Sequence, residues 1–256
     1  MGTALITGAT AGLGLEFAWQ LATARHDLVL VARDTERLER VAGHLHAAAG
    51  VHVEVLAADL SDRADVDRVA DRLRSTERPV GLLVNNAGFA VRQRFVDGDL
   101  DREERAFDVM VRAVMVLSHA AAGPMTARGR GAILNVASVA ALTASGTYSA
   151  HKAWVRSFTE GLAVELAGTG VTATVLCPGF VHTEFHERAE LDMGAVPEAA
   201  WLRADDVVAT ALADVRRGAV ISTPSVRYRL VSALLRTLPR SAVRAVGSHR
   251  PGSRAR

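Results

Sequence analysis

The sequence predicts a single α/β domain in which a doubly wound parallel sheet of about seven strands carries helices on both faces. Short apolar, β-branched runs alternate with longer stretches of helical periodicity along the chain, and such alternation implies parallel strands joined by helical crossovers. The residues able to carry chemistry follow the ends of these runs, where ligands bind in open sheets of this class. A chain of 256 residues with 49% hydrophobic content can bury one sizeable core.

The elements follow one another as strand, helix, strand. The apolar runs predict strands at residues 4–6, 28–31, 51–56, 82–84, 132–136, 171–176 and 220–222. Between them, apolar residues at helical spacing predict helices at residues 15–25, 35–48, 63–75, 102–128 and 148–167. Because no repeat or linker interrupts this series, residues 1–225 are predicted to form the domain, followed by a basic C-terminal helix and tail at 226–256.

A glycine-rich run, TGATAGLG at residues 7–14, joins the first strand to the first helix. Backbone N–H groups at such a turn and the positive end of the helix dipole face an anion, and glycine lets that anion approach the backbone. The run therefore predicts the diphosphate site of a dinucleotide in a Rossmann fold. Its predicted cofactor-binding residues are Gly8, Thr10, Gly12, Leu13 and Gly14.

Further motifs follow the later strands in a fixed order. They are Asp59-Leu60, Asn85-Asn86-Ala87-Gly88, Ser138, Tyr148 with Lys152, and Pro178-Gly179 with Thr183. With TGATAGLG ahead of them, the chain resembles the short-chain dehydrogenase/reductase family from residue 3 to about residue 222. The resemblance implies an oxidoreductase that transfers a hydride between a nicotinamide cofactor and a carbonyl or alcohol substrate. It also implies cofactor contacts by Asp59, Leu60, Asn86, Gly88, Val181 and Thr183.

The end of the second strand bears on the choice between NADP(H) and NAD(H). An acidic residue there would bind the adenosine ribose of NAD, whereas a guanidinium would pair with the 2′-phosphate of NADP. This chain has Ala32 in the position of the acid and Arg33 next to it, which favours NADP(H). NAD(H) stays possible because Asp34 could draw Arg33 away, and because Ala11 is not the basic residue that many NADPH enzymes carry in the glycine run.

The predicted catalytic residues are Ser138, Tyr148 and Lys152. Tyr148 and Lys152 are four residues apart on a helix, so they project from the same face. A nearby ammonium stabilises the phenolate and lowers the tyrosine pKa from about 10. Tyr148 could then act as general acid and base. The resemblance further implies that Lys152 binds the nicotinamide ribose and that Ser138 hydrogen-bonds the substrate oxygen.

Two features depart from the family pattern. Met110 occupies the position where relatives commonly carry an asparagine that holds a water in the proton relay, and a thioether cannot hold water as an amide does. The ten-residue separation of Ser138 and Tyr148 is also shorter than in many relatives, which changes the wall of the substrate pocket. Two functions therefore stay open: an NADPH-dependent carbonyl reductase, or a catalytically weak NADP(H)-binding sensor or scaffold of the same fold.

The segment at about 180–202 is predicted to fold over the substrate. Apolar side chains are available to line it, and charged or polar side chains lie between them; the apolar ones are Phe180, Phe185, Leu191, Met193, Val196 and Trp201, and the others are Glu184, His186, Glu187 and Arg188. This composition indicates an apolar ketone, aldehyde or β-keto substrate. His182 and His186 could share a helix face, but no third ligand accompanies them, so no metal site is predicted.

The C-terminal segment carries the basic charge of the chain. No acidic residue follows Asp214, while eight arginines follow Gly218. These arginines carry +8 and the formal net charge of the whole chain is +2, so the remainder carries −6. Apolar residues recur at helical spacing among the arginines: Leu230, Val231, Leu234, Leu235 and Leu238. The segment could lie weakly on an anionic membrane surface or cover a partner, but a helix docked on the domain or on another subunit, followed by a disordered basic end from about residue 247, is favoured.

Composition and chain ends suggest the compartment and the assembly. The chain opens directly into its first strand, no uncharged apolar run approaches a bilayer span, and the single cysteine fits a reducing compartment. A cytoplasmic protein is predicted, without specific nucleic-acid binding because no recognition motif is present. By the family resemblance, a homodimer or homotetramer would form through the helices at 102–128 and 148–167.

Overall fold

The computed structural model describes residues 2–91, 93–183 and 197–248. The strands of its main sheet are β1 (Thr3–Thr7), β2 (Asp27–Ala32), β3 (Val53–Ala57), β4 (Val80–Asn85), β5 (Gly131–Val136), β6 (Val171–Leu176) and β9 (Ile221–Ser222). All seven are parallel, and they lie in the order β3-β2-β1-β4-β5-β6-β9. The shorter strands β7 (Phe180–Val181) and β8 (Trp201–Leu202) form a separate parallel pair. The predicted doubly wound sheet is confirmed.

The helices connect these strands and cover them. They are α1 (Gly12–Thr23), α2 (Thr35–Ala49), α3 (Arg63–Arg74), α4 (Leu100–Phe107), α5 (Ala113–Ala127), α6 (Gly146–Glu165), α7 (Ala204–Arg216), α8 (Val226–Thr237) and α9 (Arg240–Ser248). A π-helical segment (Asp108–Arg112) joins α4 to α5. Short 3₁₀ helices occupy Val139–Leu142 and Glu198–Ala200.

Alternating side chains of each strand enter two separate apolar layers, as expected for a sheet covered on both faces. In β1, Ala4 and Ile6 lie in a cluster with α1, α2 and α7, whereas Leu5 lies in a second cluster with α3, α5 and α6. Phe17 is fully buried in the first layer and Leu117 in the second. Helices therefore cover both faces of the sheet, and this packing holds the carboxyl ends of the strands in line.

The sheet changes winding direction at β1, which pairs with β2 on one side and β4 on the other. The crossover helices on either side of such a point lie on opposite faces, which leaves a crevice at the carboxyl ends of the two central strands. The glycine-rich run follows β1 and the Asn85-Asn86 pair closes β4. The fold thus places the two motifs beside each other.

Three details differ from the sequence prediction. The helix predicted as continuous over residues 102–128 contains the π-helical turn at Asp108–Arg112, and such turns often occur near functional sites. The basic C-terminal helix is two helices, because Pro239 cannot continue the backbone hydrogen bonds of α8. The small β7-β8 pair was not anticipated, since two-residue strands leave no periodic pattern.

The helical stretch Leu100–Ala127 is long enough to span a membrane, and an 18-residue window within it has a mean hydropathy of 1.3. Its apolar character has another cause, because α5 packs on α3 and on β4 and β5. Side chains such as Leu117 and Met125 are fully buried there. This stretch is a core helix of the domain.

Candidate active site

The turn between β1 and α1 requires its glycines. Gly8 has φ of +67°, and its N–H donates to the Val31 carbonyl at 2.8 Å. A Cβ on Gly14 would lie 2.1 Å from the Gly8 carbonyl oxygen, a distance that no side chain tolerates. The first turn of α1 therefore approaches the carboxyl end of β1 closely. This is a cradle of the kind that holds a diphosphate.

Thr7 fastens the glycine turn to β4, a role that the sequence alone did not suggest. Its hydroxyl accepts the backbone N–H groups of Asn86, at 2.9 Å, and Ala87, at 3.0 Å. The Asn86 amide in turn donates to the Thr7 carbonyl at 2.9 Å. Two predicted cofactor-binding positions, Gly8 and Asn86, are held together by this exchange.

A buried polar network beneath the site was also missed. The Asn85 amide donates to the Asn135 side-chain oxygen at 2.8 Å, and the Asn135 amide donates to the Thr159 hydroxyl at 2.9 Å. Asn135 and Thr159 are completely buried. Since buried amides must find partners, this chain of bonds fixes α6, through Thr159, against β4 and β5. The sequence feature that could have indicated this network is the pair of asparagines near the ends of β4 and β5.

The three predicted catalytic residues lie at the carboxyl end of β5 and on α6. Ser138 precedes the 3₁₀ helix at Val139–Leu142, whose Ala140 N–H donates to its hydroxyl at 3.1 Å. Tyr148 lies in the first turn of α6 and forms a side-chain hydrogen bond with Ser138. Lys152 follows one turn later, with its ammonium 5.7 Å from the centroid of the Tyr148 ring. Serine and tyrosine hydroxyls therefore meet at one point.

Burial controls the pKa values of Tyr148 and Lys152. Burial raises the pKa of Tyr148 to about 12, although the hydrogen bond with Ser138 acts to lower it. Burial also lowers the pKa of Lys152 to about 8. The Lys152 ammonium donates to the Val136 carbonyl at 2.8 Å. The prediction that Lys152 lowers the Tyr148 pKa is therefore wrong: removing the phenol from water disfavours its charged form, and the pKa is raised instead.

Met110 lies in the π-helical segment beside two predicted site residues. A Cβ placed on Gly88 would be 3.3 Å from the Met110 sulfur and 3.5 Å from the Lys152 nitrogen. Met110 is 1% exposed. The Met110 thioether and the Lys152 ammonium therefore both approach Gly88, in the region where an amide would be needed to hold a water.

Arg33 stands exposed at the end of β2. In the described part of the chain no ion pair joins it to Asp34, whose carboxylate caps α2 by accepting the Arg37 N–H at 3.0 Å. Burial acts to raise the pKa of Asp59, but hydrogen bonds from Ser61 and the charge of Arg33 outweigh it, so the pKa lies below its usual value. Arg33 and Asp59 therefore frame the same edge of the crevice, with Leu60 buried behind Asp59.

Thr183 packs on the glycine-rich turn. A Cβ on Gly12 would lie 3.2 Å from the Thr183 Cβ, and Val181 is buried in the adjoining layer. The His182 ring stacks on Trp201 at 4.5 Å and contacts Glu198 at 3.1 Å. Other predicted residues of this segment lie outside the described residues: Glu184, Phe185, His186, Glu187, Arg188, Leu191, Met193 and Val196.

The predicted cofactor positions Thr10 and Leu13 sit in the turn and first turn of α1, with Thr10 buried. Within 2–91, 93–183 and 197–248, no cluster of three or more histidine, cysteine or acidic side chains could hold a metal ion. The donors gathered here are backbone N–H groups, hydroxyls and one ammonium. Such a set suits an anionic dinucleotide and a carbonyl oxygen.

Tyr228 of α8 closes the site edge, and no motif indicated it. Its ring covers Gly179, where a Cβ would lie 1.9 Å from the tyrosine Cζ. Its hydroxyl accepts the Phe180 N–H at 3.2 Å and donates to the Ala200 carbonyl at 2.7 Å. Helix α8 therefore packs directly on the backbone of the Pro178-Gly179 turn.

Comparisons with known proteins agree with this arrangement. The sequence model of the short chain dehydrogenase family matches residues 2–194. Sulfoacetaldehyde reductase 2 of Chromohalobacter salexigens is 39% identical over 186 residues, which cover 71% of this chain and 73% of that protein. A short-chain dehydrogenase from Sphingobium yanoikuyae, solved in complex with NADPH, superposes with a TM-score of 0.84 at 32% identity, covering 100% and 99% of the two chains.

A second solved structure is the bulky-bulky ketone specific alcohol dehydrogenase from Comamonas testosteroni. It superposes with a TM-score of 0.80 at 27% identity and covers 100% of this chain and 97% of that chain. The matched part therefore includes the C-terminal helices as well as the sheet. From the matched family, the Rossmann sheet and these relatives, the chain belongs to the short-chain dehydrogenase family and is an oxidoreductase that acts on CH–OH or C=O groups with a nicotinamide dinucleotide.

Proposed function

We propose that this protein reduces an apolar ketone, aldehyde or β-keto compound with NADPH, and that Tyr148 supplies the proton. The observation that carries the proposal is the meeting of the Ser138 and Tyr148 hydroxyls one helical turn from Lys152. Two hydroxyls at one point can hold a carbonyl oxygen, and a phenol among them can protonate it. The glycine cradle lies at the neighbouring strand ends.

Each residue has a distinct part in this proposal. Ser138 orients the substrate oxygen, and Tyr148 gives it a proton as negative charge develops there. Lys152, anchored on the Val136 carbonyl at 2.8 Å, holds the nicotinamide ribose and keeps a positive charge near the phenol. The cofactor supplies the hydride when bound.

The raised pKa of Tyr148 favours the reductive direction. With a pKa of about 12, the phenol is protonated at neutral pH, which is the form needed to donate. Oxidation of an alcohol would need the phenolate, so it should gain as the pH rises. After the phenol has given its proton to the substrate, a new proton would reach Tyr148 from the side of Lys152.

Three observations support NADPH over NADH. Arg33 is exposed at the end of β2, and Asp34 is occupied as the cap of α2. The similar dehydrogenase of Sphingobium yanoikuyae was solved with NADPH. A guanidinium at that position would pair with the 2′-phosphate, which NADH lacks.

Apolar residues at the site edge support an apolar substrate. Phe180 is 39% exposed, and its ring lies 5.8 Å from that of Trp201. The relatives act on carbonyl compounds by name, one on sulfoacetaldehyde and one on bulky-bulky ketones. We also propose a cytoplasmic location, which the single cysteine, the buried Cys177, supports. A homodimer or homotetramer is supported by two exposed apolar side chains, Phe107 at the end of α4 and Met115 in α5.

A second function, a catalytically weak NADP(H)-binding sensor, is favoured by Met110 beside Lys152. The deciding experiment measures NADPH and NADH consumption by the purified protein with ketones, aldehydes and β-keto esters, sulfoacetaldehyde included. Turnover with NADPH that falls at least about a thousandfold in Tyr148→Phe, with NADPH affinity unchanged, supports the reductase.

The matched control is Tyr228→Phe, since the chain has only two tyrosines. This change removes a hydroxyl that holds the rim of the site but not the reacting centre, so it should raise KM and leave kcat within a few-fold of the wild type. Survival of activity in Tyr148→Phe would disprove the assigned proton donor. NADPH binding without turnover of any compound would favour the sensor.

A further inference from the structure

Helix α8 docks on the domain through one face only. Besides the Tyr228 contacts with Gly179, Phe180 and Ala200, Ser232 is buried one turn further on. At 100° per residue, Tyr228 and Ser232 point in the same direction. The face of α8 that carries Tyr228 and Ser232 therefore packs on the domain.

The opposite face of α8 is an exposed apolar stripe. Val226 is 60% exposed, Leu230 67% and Leu234 58%. These side chains recur every four residues and so form one line along the helix. Large apolar side chains are common singly on a surface, but a line of three marks an interaction site. We name Val226, Leu230 and Leu234 the α8 stripe.

Arginines border the stripe on both sides. At 100° per residue, Arg229 and Arg236 lie on one flank, and Arg227 lies on the other. Arg229 and Arg236 are exposed, and the Arg227 guanidinium donates to the Ala199 carbonyl. The sequence contains no acidic residue after Asp214 that could neutralise them. An apolar line between basic flanks has the form of a helix that lies in a membrane interface.

The charge of the whole chain is also unevenly distributed, with a basic C-terminal segment and an acidic remainder. The eight arginines after Gly218 carry +8 while the rest of the chain carries −6, given a formal net charge of +2. An anionic surface would attract the C-terminal segment and repel the body, which orients the molecule. Contact with the same helix of a second copy fits less well, because it would bring two basic, acid-free segments together.

We infer that α8 docks on an anionic lipid surface, with the α8 stripe at the headgroup boundary and the flanking arginines on lipid phosphates. Arg227 and Tyr228 hold the backbone carbonyls of Ala199 and Ala200, and Tyr228 also holds Phe180. Lipid-bound α8 would therefore hold both ends of the segment at 180–202 about one helix diameter, ~10 Å, from the bilayer surface. An apolar substrate dissolved in the membrane would then have a short path to the site.

The test is co-sedimentation of the full-length protein with phosphatidylcholine vesicles, with and without phosphatidylserine. Leu230→Ser/Leu234→Ser removes the stripe, and Arg229→Glu/Arg236→Glu reverses one basic flank. The matched controls are Val164→Ser, at a residue 76% exposed on α6, and Arg130→Glu, at an exposed position before β5. Circular dichroism and thermal unfolding check that each variant folds.

The wild type should bind only vesicles that contain phosphatidylserine, and added salt should weaken binding. The flank variant should lose about tenfold or more in vesicle affinity, since each basic residue near an anionic surface contributes roughly fivefold. The stripe variant should lose as much, because it removes two leucine side chains from the headgroup boundary. The two controls should bind like the wild type. No vesicle binding by the wild type, or unchanged binding by folded stripe variants, would overturn the inference. Loss of an oligomer in Leu230→Ser/Leu234→Ser without vesicle binding would assign the stripe to a second copy instead.

Discussion

The Lys152 ammonium lies over the ring of Tyr148, 5.7 Å from its centroid. The ammonium donates its hydrogen bond to the Val136 carbonyl, at the end of β5. A cation in this place is stabilised by one carbonyl while it is withdrawn from water. It therefore loses its proton more readily than an exposed lysine, and stability should depend on pH.

We expect the free energy of unfolding to rise with pH because of Lys152. Burial lowers the folded-state pKa from 10.5 to about 8, so the unfolded chain binds more protons between these values and stability rises through that window. From pH 7.5 to 9.5 the gain is about 2 kcal/mol. Urea unfolding of the wild type and Lys152→Met at both values measures it.

Lys152→Met is the reference because Cys177 and Tyr148 titrate at high pH in both proteins. Burial raises the pKa of Cys177 to about 11 and that of Tyr148 to about 12, and these shifts act against stability above about pH 9. Only the difference between the two proteins reports on Lys152. An equal pH dependence in both would show that Lys152 titrates normally.

Gly14→Ala should cost about 3 kcal/mol or more and abolish dinucleotide binding. The added Cβ would lie 2.1 Å from the Gly8 carbonyl oxygen, so α1 must move away from β1. Gly43→Ala is the matched control, because nothing lies within 4 Å of its Cβ position in α2. That variant should gain about 1 kcal/mol from helix propensity. Thermal unfolding and NADPH titration measure both, and equal behaviour of the two variants would contradict the close contact.

Arg33→Ala should raise the KM for NADPH by about tenfold or more and leave the KM for NADH nearly unchanged, since it removes a charge-assisted bond to the 2′-phosphate. Arg40→Ala is the control, because Arg40 is also exposed but lies within α2, away from the end of β2. Steady-state kinetics with both cofactors provide the measurement. A parallel loss with NADPH and NADH would assign Arg33 to the fold instead.

Met110→Asn should raise kcat roughly tenfold by giving a water a place in the proton relay near Lys152. The same change should lower the free energy of unfolding by about 1–3 kcal/mol, because an amide replaces a thioether in an apolar layer. Met110→Leu keeps the apolar volume and should change neither quantity much. If Met110→Asn is destabilised without faster turnover, the proton reaches Tyr148 by another route.

The sheet and its motifs could be predicted because their signals are local. Apolar runs such as residues 28–31 and 171–176 are strands because buried parallel strands need no polar face. Glycine and the Tyr148-Lys152 spacing report directly on turn geometry and on a shared helix face. These features depend on neighbours in sequence, so one chain is enough to read them.

Other features depend on contacts between distant residues, which no spacing reveals. The raised pKa of Tyr148 results from burial by several elements, and the seating of Tyr228 on Gly179 joins residues 49 positions apart. The π-helical turn at Asp108–Arg112 arises in a sequence that reads as a plain helix. The pairing of Thr7 with Asn86 likewise links separate strands.

The Tyr228 hydroxyl spans β7 and the 3₁₀ helix before β8, and its ring lies on the bare backbone of the Pro178-Gly179 turn. The proposed catalytic centre is encoded by the first two thirds of the chain, whereas its rim is set by a helix that begins after residue 225. Two proteins with the same catalytic serine, tyrosine and lysine would then prefer different substrates if the helices that correspond to α8 differ. Exchanging α8, rather than the residues around the phenol, is the natural way to redesign selectivity in this enzyme.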